Sequence, residues 1–127
     1  MTRAEEAAER AALAAAREHA ESQAAQQLID AFLVEARERG LPAEPLRATL
    51  YSGQSVRTDK RGWYLRRNKS IAIGEDGGYY VLTIPGGLRE RFSGATLRAS
   101  PPPLEVGRGG RDGETGDLAE FLRALLP

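Results

Sequence analysis

Residues 37–52 read RERGLPAEPLRATLYS, and the change of pattern inside this stretch decides the fold. Arg37 and Arg39 suit the last turn of a helix, where cations meet the negative end of the macrodipole. Gly40 is placed for the left-handed residue that closes a helix, and Pro42 cannot continue one. From Pro45 onward, Leu46, Ala48 and Leu50 fall on one side of an extended chain and Arg47, Thr49 and Tyr51 on the other. That alternation is the pattern of a half-buried strand.

Working back from Gly40, the segment from Thr2 to Arg39 contains neither proline nor glycine and consists almost wholly of strong helix formers, so one long helix is expected. Its two halves differ in what they can bury. Ala25, Leu28, Ile29, Phe32 and Ala36 recur at helical spacing, whereas residues 3–24 offer only Leu13 among alanines. The expected division is an alanine-rich helical extension over residues 1–24 and a single α+β domain over 25–127. Such an extension either projects into solvent and frays, because isolated alanine-rich helices are marginal in water, or packs against a partner helix that its small side chains let approach closely.

Working forward, GWYLRR (62–67) repeats the alternation, with Trp63 and Leu65 opposed to Tyr64 and Arg66. SIAIGEDGGYYVLTIPGG (70–87) then reads as a hairpin. Ile71 and Ile73 precede a turn made by Asp76, Gly77 and Gly78, and Tyr80, Leu82 and Ile84 follow it. This reading puts Tyr79, Val81 and Thr83 on the outer side together with Tyr64 and Arg66. GATLRAS (94–100) and LEVG (104–107) are strand-like but separated by Pro101, Pro102 and Pro103, which confines them to edge strands or extended segments. LAEFLRALL (118–126) carries Leu118, Phe121, Leu122 and Leu125 at helical spacing, with Thr115 or Asp117 available as a cap and Asp117 with Glu120 arranged as a capping box. The architecture expected is α+β: a long N-terminal helix, an antiparallel meander of four or five strands, and a short C-terminal helix packed on the sheet.

Composition bounds the function classes. A chain of 127 residues supports one modest core. The absence of cysteine excludes a disulfide framework, a thiolate metal site and a cysteine nucleophile. No run approaches the roughly 18 apolar residues of a membrane span, and the N-terminus has alanines and glutamates where a signal peptide needs an apolar core, so a cytoplasmic protein with no membrane partner is expected. The net charge of zero hides an uneven distribution: 5 basic and 8 acidic side chains in residues 1–40, 12 and 6 in 41–111, and 1 and 4 in 112–127. A basic middle between acidic ends suits either an anionic partner or mutual attraction between helices and sheet.

The basic middle is densest in RTDKRGWYLRRNK (57–69), around the chain's only tryptophan, Trp63. Exposed tyrosines beside arginines on a sheet suit stacked bases and held phosphates, which makes Arg61, Tyr64, Arg66, Arg67, Lys69 and Tyr79 the candidate nucleic-acid-binding residues. RGWYLR (61–66) begins like the main signature of the RNA recognition motif. The match stops at Tyr64, where that pattern needs a small residue, and no helix separates the consecutive strands, so the family is not assigned. Arginine abundance adds little by itself. With 16 arginines against 2 lysines, and 20 alanines, 14 glycines and 7 prolines, the composition follows that of a GC-biased genome.

Other chemistry finds less support. GRGGRDGETGD (107–117) resembles a phosphate-cradling loop in its glycines only, since it has no lysine and since Asp112, Glu114 and Asp117 would repel a phosphate. The same acids do not have the spacing of a calcium loop, so no metal or cofactor is expected. The single histidine, His19, stands on the alanine-rich helix beside Glu18 and Glu21 and lacks the second group that a triad, a metal site or an acid/base pair requires. A carboxylate pair remains open among the 18 acids. The function expected is that of a non-enzymatic interaction or accessory protein, self-associating or binding another protein through its N-terminal helix and sheet. The alternative is a nucleic-acid-binding module using strand 57–69.

Overall fold

The computed structural model describes residues 1–107 and 115–127. Helix α1 runs unbroken over Arg3–Glu38. Thr2 caps it, its hydroxyl accepting from the Glu5 amide at 3.1 Å, with Glu5 and Glu6 in the first turn where the helix end is positive. At the other end Gly40 adopts φ +68°, and the amides of Gly40 and Leu41 turn back to the carbonyls of Arg37 and Ala36 at 3.2 and 2.8 Å. This paired closure satisfies two carbonyls that the helix would otherwise leave open, and only a residue tolerant of positive φ makes it without strain. The stop read from Gly40 and Pro42 is therefore the observed one.

The strands follow as β1 (Glu44–Leu50), β2 (Ser55–Tyr64), β3 (Ile71–Gly74), β4 (Tyr79–Val81) and β5 (Thr83–Ile84). β1 to β4 form the expected antiparallel meander, in the sheet order β4-β3-β2-β1-β5. The outermost members of that order, β4 and β5, are separated in sequence by Leu82 alone. The Leu82 amide donates to the Ser70 carbonyl at 2.8 Å, and the Leu82 carbonyl accepts from Thr49 at 2.7 Å. One residue thus hands the chain from β3 to β1, where β5 pairs in parallel, and the sheet closes on itself as a small barrel. A register shift between Pro45 and Arg47, with the Thr58 hydroxyl donating to the Leu46 carbonyl at 2.7 Å, supplies the local bend that closure needs.

Two apolar layers result. Leu46, Ala48, Leu50, Val56, Ala72, Tyr80 and Leu82 fill the barrel, and Ala95 and Leu97 join them. The other layer lies outside β2, β3 and β4, where Leu65, Ile71, Ile73 and Tyr79 meet Ala25, Ile29, Phe32 and Ala36 of α1. The hairpin register makes the division explicit, since directly opposed residues share a face: Trp63, Ile73 and Tyr79 form one row, and Tyr64, Ala72 and Tyr80 the next. Tyr79 therefore does not share a face with Tyr64 as the alternation suggested: Tyr79 lies under the helices, and Tyr64 packs against the barrel layer. Both faces of β3 are buried, so apolar residues occupy both phases and the alternation carries no sign of which phase points where.

After β5 come a one-and-a-half-turn helix α2 (Leu88–Ser93), a two-stranded ribbon of β6 (Glu105–Val106) and β7 (Gly116–Asp117), and helix α3 (Leu118–Leu125). GATLRAS joins the sheet through the single bridges Thr58–Ala95 and Tyr79–Ser100 and through the Leu97 amide, which donates to the Asp59 carboxylate at 2.9 Å. α3 buries Leu118 and Leu122 in the outer layer. Asp117 occupies its N-cap position but makes no side-chain cap; its backbone pairs with Glu105, and the Leu118 amide donates to the Leu104 carbonyl at 2.8 Å. The capping box expected of Asp117 and Glu120 does not form.

Candidate interaction surfaces

The basic segment 57–69 is divided between β2 and the loop that follows it. Trp63 turns inward, half-buried, edge-on to Phe32 at 5.2 Å between ring centroids, with its indole N–H donating to the Pro42 carbonyl at 3.0 Å. It fastens α1 to the sheet. Tyr64, also half-buried, accepts from the Arg47 amide at 2.9 Å, and the Lys69 ammonium lies 5.1 Å from its ring centroid. Arg61 is exposed and donates to the Ala43 carbonyl at 2.9 Å, and Arg66, half-buried, donates to the Ser70 hydroxyl at 2.6 Å. Arg67 and Lys69 are exposed, and Lys69 takes φ +58° in the turn before β3. Arg66, Arg67 and Lys69 thus share one loop beside Tyr64.

Tyr79 is separated from them. It is 5% exposed beneath the helices, and burial pushes its phenol up to about 12, with the Arg66 charge opposing the shift. Tyr80 in the barrel is also raised, first by burial and then by donating its hydroxyl to Asp76 at 2.6 Å. The sign of the pH effect follows. Below the ordinary tyrosine value of 10.0 both states hold the proton; between there and about 12 only the folded state does, so stability falls as pH rises. We expect a loss of about 1.4 kcal/mol per pH unit from Tyr79 over this window, and Tyr79→Phe to remove that share of the slope. Urea midpoints measured across the window test this, and an unchanged slope in the variant contradicts it.

Two arginines outside the expected set complete a different surface. Arg47 on β1 stands directly opposite Arg57 on β2. Arg47 donates to the Ser55 hydroxyl and carbonyl at 2.8 and 3.2 Å, and Arg57 donates to the Phe92 carbonyl of α2 at 2.8 Å. Among the described residues neither has a carboxylate within salt-bridge reach, so two like charges face one another across the strands without compensation. Phe92, whose carbonyl accepts from Arg57, is 78% exposed, and Leu88 one turn earlier on α2 is 66% exposed. The pairing follows from folding the chain back about Ser52, a register that the alternating runs at 46–51 and 62–67 do not define, since Arg57 lies in neither.

The third surface is helical. Every residue from Met1 to Ala20 is exposed, and the first buried position of α1 is Ala25. Where α1 reaches the domain, it and α3 flank a groove of about 570 Å³ with Leu28, Ala31, Phe32 and Leu122 along its floor and Glu35 and Arg39 on its rim. His19 is exposed, and no group of three or more histidine, aspartate or glutamate side chains is arranged to hold a metal ion among the described residues. Asp112 and Glu114 lie outside the described residues. No helix among the described residues is long and apolar enough to cross a membrane. No family model, curated protein or solved structure matches this chain.

Proposed function

We propose that this chain is a non-enzymatic interaction protein: a small helix-covered barrel that presents the N-terminal part of α1 for self-association. The observation that carries the reading is the exposure of residues 1–20 along a helix that continues without interruption into the core. Most helical stability in proteins comes from tertiary packing, and residues 1–20 have none on their own domain, so a second helix beside them supplies the stabilisation that the domain does not. Sedimentation equilibrium of the full chain tests this. Reversible association above the 13.8 kDa monomer is expected, and a monomer at every concentration contradicts it.

A second reading, binding of single-stranded nucleic acid, rests on the uncompensated Arg47–Arg57 pair and the exposed Phe92. It moves the contact from the expected Arg61, Tyr64, Arg66, Arg67, Lys69 and Tyr79 set towards β1 and α2, because Tyr79 is buried. Titration of labelled DNA and RNA oligonucleotides at two salt concentrations tests it. Replacing Arg47 and Arg57 with alanine should weaken binding and lower the salt slope by about 1 per arginine. Identical titrations for parent and variant contradict this placement.

A further inference from the structure

Resting on the self-association reading, we propose that the occupant of the α1–α3 groove is the N-terminal part of α1 from a second copy, laid antiparallel. The charge pattern along one face of α1 leads to this arrangement. Starting from the groove and moving towards the N-terminus at helical spacing, that face carries Arg39, Glu35, Phe32 with Ala31, Leu28, Glu21, Arg17, Ala14 with Leu13, Arg10 and Glu6. The face is self-complementary when reversed. Setting Glu6 opposite Arg39 of the second copy brings Arg10 opposite Glu35, Leu13 opposite Phe32, Ala14 opposite Ala31 and Arg17 opposite Leu28. The two-fold axis then falls between Ser22 and Gln23, so both grooves are filled by the same contacts.

The charged ends and the Leu13–Ala14 centre of the match have observed counterparts. Leu13, the one large apolar side chain in residues 3–24, is 57% exposed and meets the apolar floor. Alanine at positions 14 and 31, exposed in each chain, lets the helices approach closely. Glu35 and Arg39, 3.0 Å apart and each 47% exposed, form a rim pair in which Arg39 also donates to the Pro127 carbonyl at 2.7 Å, and Glu6 with Arg10 has the same spacing in the same order. Reversal sets each carboxylate against a guanidinium and yields a four-charge cluster at each end. A parallel, in-register pair would instead set Glu6 against Glu6 and Arg10 against Arg10. Antiparallel helices also oppose their macrodipoles favourably. The extension from Arg3 to Ala24 spans about 33 Å at ~1.5 Å per residue, enough to cover the stretch of the partner from Ala24 past Arg39.

Charge exchange in the full chain tests the register. The pair of substitutions Glu6→Arg with Arg10→Glu, or Glu35→Arg with Arg39→Glu, should each weaken self-association by about tenfold or more, since each turns attractions into repulsions at both ends. All four together should restore it to within about threefold of the parent. The chain has no cysteine of its own, so Ala14→Cys with Ala31→Cys should give disulfide-linked dimers on mild oxidation, and neither substitution alone should. Association that is indifferent to every charge exchange, a quadruple variant no better than the doubles, or no crosslink in a chain that does associate would overturn the groove and register while leaving helix-mediated association standing. A parent chain that stays monomeric would overturn both.

Discussion

Gly62→Ala is expected to destabilise the domain by about 3 kcal/mol, a large part of the stability of a chain this size, and to lower the urea midpoint by roughly 1–2 M. Gly62 on β2 is paired with Gly74 on β3, and the strands approach there more closely than any side chain permits. A methyl group on Gly62 would collide with the Ile73 carbonyl oxygen and would lie 2.8 Å from the Gly74 Cα and 2.9 Å from the Ile73 carbonyl carbon. These neighbours are backbone, so no rotamer change relieves the overlap; the strands themselves must separate. Separation disturbs the adjacent Trp63–Ile73 pair, on which the outer core layer is built. Urea unfolding followed by Trp63 fluorescence measures the effect. A midpoint indistinguishable from the parent would mean that the strands have room to spare and that this close approach does not hold the hairpin.

The same residues show how far the fold was legible beforehand. The helix stop at Gly40 and the alternation of Leu46, Ala48 and Leu50 depend on local geometry, and both appear as read. The hairpin turn is likewise local: Gly77 takes φ +89° and the Gly78 amide donates to Asp76 at 2.9 Å. What sequence could not supply was the side on which the helices would lie. Ile71, Ala72 and Ile73 are all buried, and Tyr79 and Tyr80 are buried on opposite faces, so nothing in their types distinguishes barrel interior from helix cover. Closure of the barrel was also invisible, because β5 is two residues long and pairs in parallel with a strand more than thirty positions away. Helix α2 buries none of its side chains, so it lacks the apolar stripe that reveals a surface helix. Among the candidate site residues, Arg66, Arg67 and Lys69 were legible as a cluster because one short loop carries them. The Arg47–Arg57 pair depends on strand register, which the sequence leaves open.

Removing residues 1–22 should abolish self-association while leaving the domain folded. The first buried side chain of α1 is Ala25, and the contacts that fasten the helix begin there: Ile29 and Phe32 in the outer layer, and Gln26, whose amide donates to the Gly77 carbonyl at 2.9 Å. None of these is lost. The truncated helix still begins two residues before its first anchor, so the stability of residues 23–127 should change by no more than about 1 kcal/mol. Helical content should fall by more than the deleted length alone would suggest if the shortened end frays, and this does not alter the association result. A structural role for the extension within its own domain predicts the reverse: loss of stability with no change in mass.

The most direct measurement is sedimentation equilibrium of the full chain and of residues 23–127 over the same concentration range. The account predicts reversible association for the full chain and a monomer for the truncated one. The same association state for the two, whether both associate or neither does, would contradict it.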